Sequence, residues 1–215
     1  MFATNCYVLA SEPGSECVIV DPGMDALPTL KQVLDQHKLK PVAIALTHGH
    51  LDHTWSVTPL ADGYDIPAYL HGSDVDMVEH PLEWHSPGLV EMVGGDPSKI
   101  PVMNDVEVLR DGEKISIVGV DLTARHTPGH TQGSVIFTFD HPEAPVMLSG
   151  DTLFNQGIGR TDLPGGSYDA IMKSIDDVCL SYDDSTVVLP GHGGQTTIGA
   201  ERRSNPFILE YQRGK

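Results

Sequence analysis

The sequence predicts an α/β fold in which mixed β-sheets are flanked by helices. About ten short apolar or alternating segments have the pattern of strands, and segments with helical spacing lie between many of them. Helical crossovers favour parallel pairing of strands, whereas short turns between other strands favour antiparallel pairing, so both kinds are expected. The length of 215 residues suffices for one substantial core, and we expect a single domain over residues 1–215.

The predicted strands and helices follow from the local spacing of apolar residues and from residues typical of turns and helix starts. In chain order, the predicted strands are NCYVLA, ECVIV, VAIAL, AYL, VEVL, KISIV, VDLTA, SVIFTF, APVML and TVVLP. The predicted helices cover residues 25–38, 54–62, 73–79, 168–180 and 198–212, with Ser167 as a cap for the fourth. Asp111-Gly112 is typical of a hairpin turn. Residues 80–105 contain four prolines and three glycines without periodicity, which predicts a long irregular segment of the kind that can form a lid or pocket wall.

Composition excludes several classes of partner. Thirty acidic residues against 13 basic ones give a net charge of −17, which repels nucleic acid and anionic membrane surfaces. No apolar run approaches the ~20 residues that span a bilayer. The N-terminus lacks the features of a secretory signal, and three widely spaced cysteines suit reduced thiols, so we expect a cytoplasmic protein. Oligomeric state is not predicted by the sequence.

The segment LTHGHLDHTWSV, residues 46–57, places three histidines and an aspartate within six positions. A helix brings together residues three or four apart, so this closer spacing suits a strand end that enters a tight loop. Three further polar clusters follow predicted strands: HTPGHTQGS at 126–134, SGDTLF at 149–154 and LPGHGGQT at 189–196. Strand ends of α/β sheets meet at one cleft, so we expect these clusters to converge.

The clusters supply five imidazoles and two carboxylates as candidate metal ligands: His48, His50, Asp52, His53, His130, Asp151 and His192. One zinc ion takes about four ligands, so this set exceeds the need of a single metal. Seven ligands with one bridging residue suit two metals roughly 3.5–4 Å apart. Zinc is the expected metal, although iron and manganese accept the same ligands.

The histidine-rich segment 46–57 would bind both metals, with His48 and His50 as ligands of one metal. Asp52 and His53 would lie past a turn and bind the other. Asp151 is the predicted bridge, because only a carboxylate among these side chains offers two oxygens to two cations. We expect Asp52 and Asp151 to be the catalytic carboxylates that hold the metals around a hydroxide.

The histidines outside this segment have distinct expected roles. His130 and His192 would complete the separate sites. His126, four residues before His130, is predicted to support a ligand by hydrogen bonding rather than to bind metal. Two cations lower the pKa of a bound water toward ~7, which predicts a metal-bound hydroxide as nucleophile. Such a site suits acyl hydrolysis, and the metals alone also suit phosphoester hydrolysis.

With these residues named, the chain resembles the metallo-β-lactamase-fold hydrolases, and within them the short, single-domain glyoxalase II-like group. The resemblance covers nearly the whole chain, through motifs in the expected order: ATNCYVLA, VDPG, THGHLDH, HTPGHTQGS, SGDTLF, IGRTDLPGGS and PGHGGQTTIGAERRSNPF. It implies an αββα sandwich with the metals at one edge between two sheets. It also implies the division of ligands described above.

The resemblance implies a small-molecule substrate, a 2-hydroxyacyl thioester such as S-lactoylglutathione. Full-length glyoxalase II enzymes carry a further C-terminal helical region that holds glutathione, and this chain ends soon after the last motif, so no such domain is expected and another low-molecular-weight thiol could be the carrier. Arg160 would contact a carboxylate of the substrate, with an ion pair to Asp162 as the alternative. Tyr168, Trp84 and His85 are further candidates to line the pocket.

Two alternatives stay open. A persulfide dioxygenase of the same fold would use one iron and fewer ligands, and a non-catalytic metal-binding protein would use the site without turnover. Hydrolysis of β-lactams is disfavoured, because metallo-β-lactamases are exported and are not expected to use a bridging aspartate at the position of Asp151.

Overall fold

The computed structural model describes residues 3–84, 88–117 and 119–215. The strands are β1 Tyr7–Ala10, β2 Glu16–Val20, β3 Lys40–Ala45, β4 Ala68–His71, β5 Glu107–Leu109, β6 Lys114–Ile117, β7 Val120–His126, β8 Val135–Phe139, β9 Val146–Gly150, β10 Leu153–Phe154, β11 Gly157–Ile158, β12 Val187–Pro190 and β13 Thr196–Thr197. The helices are α1 Ala26–His37, α2 Leu51–Thr54, α3 Val57–Tyr64, α4 Val75–Glu79, α5 Pro81–Trp84, α6 Gly88–Met92, α7 Tyr168–Asp177, α8 Ile198–Ser204 and α9 Pro206–Arg213. Short 3₁₀ turns cover Gly72–Asp74, Pro97–Lys99 and Cys179–Ser181.

The strands form two mixed sheets, as the sequence predicts. The first sheet has the order β1-β2-β3-β4-β5, with β1 antiparallel to β2 and the remaining pairs parallel. The second has the order β13-β12-β9-β8-β7-β6, where only β9 and β12 pair in parallel. Strands β10 and β11 form a separate small hairpin. Each of the ten predicted strands is present.

Strand alternation explains why the sheets stack between helices. In β2, Cys17 and Ile19 face an outer cluster that contains residues of α1 and α3, whereas Val18 and Val20 face the second sheet. In β8, Phe137 enters the cluster between the sheets and Ile136 enters another that includes residues of α7, α8 and α9. Both faces of each sheet are therefore buried, and the αββα sandwich is confirmed.

The predicted C-terminal helix 198–212 is two helices. Asn205 has extended backbone, and its side chain accepts a hydrogen bond from the amide of Phe207 and caps α9. Pro206 disfavours helical backbone at the residue before it and fits the first turn of the next helix, so the break has a local cause. The cap on α7 is as predicted, because Ser167 Oγ accepts from the amide of Ala170.

The predicted hairpin at Asp111-Gly112 is wrong. Strand β5 pairs with β4 in the first sheet, and β6 pairs with β7 in the second. The turn therefore connects a strand of the first sheet to a strand of the second. The same residue types favour both kinds of turn, so Asp-Gly alone does not distinguish this connection from a hairpin.

The segment 80–105 contains short helices rather than only irregular chain, namely α5, α6 and the turn Pro97–Lys99. Its Leu89 and Ile100 pack in a small apolar cluster with Leu51, the residue that begins α2. The segment is thus attached beside the motif HGHLDH. His85, a candidate pocket residue, lies outside the described residues. None of the described helices has the length and apolar character needed to cross a bilayer.

Candidate metal centre

The candidate ligands gather at one end of the sandwich because each follows the C-terminal end of a strand. His48 and His50 follow β3, and His130 lies in the connection between β7 and β8. Asp151 follows β9 directly, and His192 follows β12. Since β9 and β12 are parallel neighbours, these two segments end side by side.

The dense histidine segment is only partly the loop that its spacing predicts. His50 has extended backbone, with φ −65° and ψ 141°, and precedes α2 as its N-cap residue. Asp52 and His53 then lie on the single helical turn of α2. The change from extended chain to helix separates the two pairs of side chains, as the predicted turn requires.

The first ligand group consists of His48, His50 and His130. One nitrogen from each ring lies within 4.8 Å of the others, and all three residues are buried. Nδ1 of His50 lies 2.8 Å from Nε2 of His130.

The second ligand group consists of Asp52, His53 and His192, whose donor atoms also lie within 4.8 Å of one another. Nε2 of His192 lies 3.2 Å from Oδ2 of Asp52 and 3.3 Å from Nε2 of His53. Each group holds one of the two ligand pairs that the sequence assigns to separate metals.

Asp151 lies between the two groups and contacts both. Its Oδ2 is 3.5 Å from Nε2 of His130 in the first group and 3.4 Å from Nε2 of His192 in the second. Its Oδ1 is 3.3 Å from Nε2 of His53. A carboxylate in this position can offer one oxygen to each of two neighbouring cations.

The outer hydrogen bonds of the rings orient their inner nitrogens. Nδ1 of His53 donates to Oδ2 of Asp21 at 3.0 Å, and Nδ1 of His130 donates to the carbonyl of Arg160 at 2.8 Å. A proton on Nδ1 leaves the Nε2 lone pair available for a cation. Both Nε2 atoms face Asp151.

The ring of His48 is oriented in a similar way, by the hydroxyl group of Thr47. Oγ1 of Thr47 lies 2.6 Å from Oδ2 of Asp21 and must donate its proton there, because a carboxylate only accepts. The hydroxyl then accepts from Nδ1 of His48 at 3.0 Å. Within residues 3–84, 88–117 and 119–215, the buried Nε2 of His48 has no hydrogen-bond partner, as expected of an atom reserved for a metal.

The electrostatics also fit a cation site. Burial opposes charge on His53, but the carboxylates of Asp151 and Asp21 outweigh it and raise its pKa well above the usual value. Hydrogen bonds to Asp151 and Asp52 raise the pKa of His192 to about 10. Burial and neighbouring imidazoles lower the pKa of His48. The carboxylates therefore favour positive charge at the centre, and imidazole and carboxylate are suitable ligands for zinc, iron or manganese.

Two buried carboxylates, Asp21 and Asp74, are not among the residues predicted from the sequence. Asp21, in VDPG, accepts from both the amide and the hydroxyl of Thr47 as well as from His53. Asp74 accepts from the amides of Gly49 and Gly133 at 2.9 and 2.6 Å, which joins the loops of the two ligand segments. Both follow strands at the edge where the ligands gather, and that position was the available signal.

The other candidate site residues, His126 and Tyr168, lie outside the two ligand groups. His126 contacts residues outside the ligand groups: its Nε2 donates to the carbonyl of Gln132 at 2.8 Å, and its ring stacks on His71. It supports the loop of His130 only indirectly. Tyr168 begins α7, is 43% exposed, and is not among the described residues that line the cleft over the ligands.

Arg160 lines that cleft, but its guanidinium is paired. Nε and Nη2 each donate to a carboxylate oxygen of Asp162 at 2.7 Å, the ion pair foreseen as the alternative. Trp84 donates from Nε1 to Asp76 and likewise is not among the described lining residues.

The cleft has a volume of about 660 Å³ and opens over both ligand groups. Its described lining combines five candidate ligands, His50, Asp52, His130, Asp151 and His192, with Arg160 and seven apolar residues, Met24, Leu51, Trp55, Leu89, Phe154, Ile158 and Leu163. Beyond the candidate ligands, the described lining is therefore apolar except at Arg160.

Gly191 provides a sharp test of how tightly the centre is packed. A Cβ at this position would lie 2.2 Å from Oδ1 of Asp151 and 2.6 Å from Cε1 of His53. Gly191→Ala should therefore displace both ligands and lower metal content and turnover, by about 10–100-fold as for loss of a supporting contact. Gly194→Ala is the matched control, because among the residues that the structure describes, its two chain neighbours aside, none has an atom within 4 Å of its Cβ position. Unchanged metal content in Gly191→Ala would contradict this packing.

Comparisons with known proteins agree with this architecture. A family model described as the metallo-beta-lactamase superfamily matches residues 1–192. An uncharacterized Mycobacterium tuberculosis protein is 47% identical over 215 residues, covering 97% of this chain and 94% of its own. Hydroxyacylglutathione hydrolase GloC of Haemophilus influenzae is 32% identical over 207 residues, covering 96% and 93% respectively.

Two solved structures are also similar over nearly the full length. BLEG-1 B3 metallo-beta-lactamase has a TM-score of 0.84 at 38% identity, with 96% of this chain and 95% of that chain covered. TTHA1623, solved in a di-iron-bound form, has a TM-score of 0.76 at 36% identity, with 95% and 94% covered. This chain belongs to the metallo-β-lactamase superfamily. It is a metal-dependent hydrolase of that superfamily.

Proposed function

We propose that the protein is a binuclear thioester hydrolase that cleaves 2-hydroxyacyl thioesters, such as S-lactoylglutathione or a conjugate of another low-molecular-weight thiol. The observation that carries the proposal is the position of Asp151 in contact with both ligand groups at the floor of a small-molecule cleft. The similarity to the Haemophilus influenzae hydroxyacylglutathione hydrolase supports the choice of substrate class.

The first group would hold one metal, the second group the other, and Asp151 both. Bound divalent cations, zinc in our proposal, would supply a hydroxide at neutral pH and polarise the thioester carbonyl. Asp21, Thr47 and the carbonyl of Arg160 keep the ligand rings in the tautomer that exposes Nε2. The departing thiolate is a good leaving group, so no separate side chain is needed to protonate it.

Metal content and two assays test the proposal on freshly purified protein. We expect about two metals per chain, hydrolysis of S-lactoylglutathione, and no oxygen uptake with glutathione persulfide. One iron per chain with persulfide-dependent oxygen uptake would instead identify a persulfide dioxygenase. Bound metal without either activity would indicate a metal-binding protein without turnover.

Hydrolysis of β-lactams is a second candidate, because BLEG-1 B3 metallo-beta-lactamase is similar over nearly the whole chain. The predicted bridging role of Asp151 disfavours this activity. Nitrocefin cleavage by the same metal-loaded sample decides between the two. A kcat/KM for nitrocefin above that for S-lactoylglutathione would replace the thioesterase proposal.

Arg160 is proposed to contact a carboxylate of the substrate from the cleft wall. Arg160→Ala should raise KM about tenfold, as expected for loss of one charge-assisted hydrogen bond, with little change in kcat. Asp162→Ala is the informative control, since it releases the guanidinium from its ion pair and should not raise KM. An equal rise in KM for both variants would show that the ion pair itself matters rather than a contact of Arg160 with substrate.

A further inference from the structure

The cleft wall beyond the candidate ligands consists mainly of apolar side chains, and this composition favours some substrates over others. Apart from the candidate ligands, Arg160 is the one polar residue among the described residues that line it, and its guanidinium is already bonded to Asp162. The other seven lining residues are apolar. Beyond the candidate ligands, the described side chains of this wall offer polar atoms only at the Arg160 guanidinium and the Trp55 indole N–H, so an apolar acyl chain would be buried mostly against apolar side chains.

The apolar wall begins directly at the metal centre. Leu51, next to Asp52 in the chain, is buried against Leu89 of α6 and Ile100. On the other side, the ring of Phe154 lies with its centroid 6.1 Å from that of His192. A thioester that bound at the centre with its acyl group toward this wall would meet apolar side chains from its first carbons onward.

We propose that this cleft selects thioesters whose acyl group carries an apolar chain longer than the methyl group of lactoyl. The inference rests on the proposed thioester hydrolysis and narrows its substrate class. Leu163, half-buried in the loop after Arg160, is a specificity-determining residue in this scheme. Because each methylene buried adds a similar increment, affinity should rise by about fourfold per methylene until the wall is covered.

A homologous series on a neutral carrier tests the selection. Acetyl, butanoyl, hexanoyl, octanoyl and lactoyl thioesters of N-acetylcysteamine share a leaving group and differ only in the acyl chain. With the metal-loaded protein, kcat/KM should rise by about fourfold per methylene along the unsubstituted series. A flat or falling series, or lactoyl as the best member, would overturn the proposal.

A binding measurement separates this inference from the proposed function. Calorimetry with acetate, butanoate, hexanoate and octanoate should show the same rise in affinity without any turnover. If alkanoate affinity rises but no thioester is cleaved, the apolar selection stands and the thioesterase function is wrong. If thioesters are cleaved but neither series depends on chain length, the thioesterase function stands and the selection is wrong.

Two leucine variants locate the effect on the cleft. Leu163→Gln replaces the branched apolar side chain with one that is a single atom longer and ends in an amide, and should lower the dependence on chain length to less than about twofold per methylene. Leu82→Gln makes the same change at a position that is 52% exposed and lines a different pocket. Its chain-length dependence should match that of the wild type. An equal loss in both variants would contradict the role of Leu163.

Discussion

Asp151→Ala should reduce the bound metal at both positions and nearly abolish turnover. Loss of an outer hydrogen-bond partner of a ligand typically costs about 10–100-fold, so loss of a residue that contacts both groups should cost more than about 100-fold in kcat/KM. The variant also removes the carboxylate that lies 3.3 Å from His53 and 3.4 Å from His192. Elemental analysis and thioester hydrolysis on the same sample measure both effects.

Asp177→Ala is the matched control for that variant. Asp177 is exposed at the end of α7 and forms a surface ion pair with Lys173, a contact that contributes little to stability. Its metal content and activity should equal those of the wild type. Retention of two metals with normal turnover in Asp151→Ala would overturn the assignment of Asp151 as the bridge.

Asp21→Asn should lower metal affinity and turnover by about 10–100-fold although Asp21 is not a proposed ligand. Its two carboxylate oxygens accept from the amide and hydroxyl of Thr47 and from Nδ1 of His53. An amide has one oxygen, and its NH₂ group would face a donor. The rings of His53 and His48 would then lose the bonds that orient them, and metal titration would detect the change.

Asp25→Asn provides the same chemical change nearby. Both Asp21 and Asp25 have positive φ, 50° and 62°, a conformation that asparagine tolerates, but Asp25 is exposed and makes no side-chain cap bond. We expect wild-type metal affinity for Asp25→Asn. If Asp21→Asn binds metal as tightly as this control, the hydrogen bonds of Asp21 do not orient the ligands.

The strands and the ligand segments could be predicted because their signals are local. Alternation in β2 separates Cys17 and Ile19 from Val18 and Val20, and the segment HGHLDH places three imidazoles and a carboxylate within six positions. Asp21 and Asp74 could not be assigned in the same way. An aspartate after a strand is also an ordinary turn residue, and only its buried donors distinguish the two cases.

The sequence by itself predicted the layered fold, the candidate ligands and their division between two groups. Periodicity and residue chemistry carry that information along a single segment. The tertiary structure decided which donor atoms meet, because His50 and His130 are 80 residues apart and His53 and His192 are 139 apart. It also decided the ring tautomers, the pairing of Arg160 with Asp162 and the apolar wall. Those features depend on contacts between distant segments, and no local pattern encodes them.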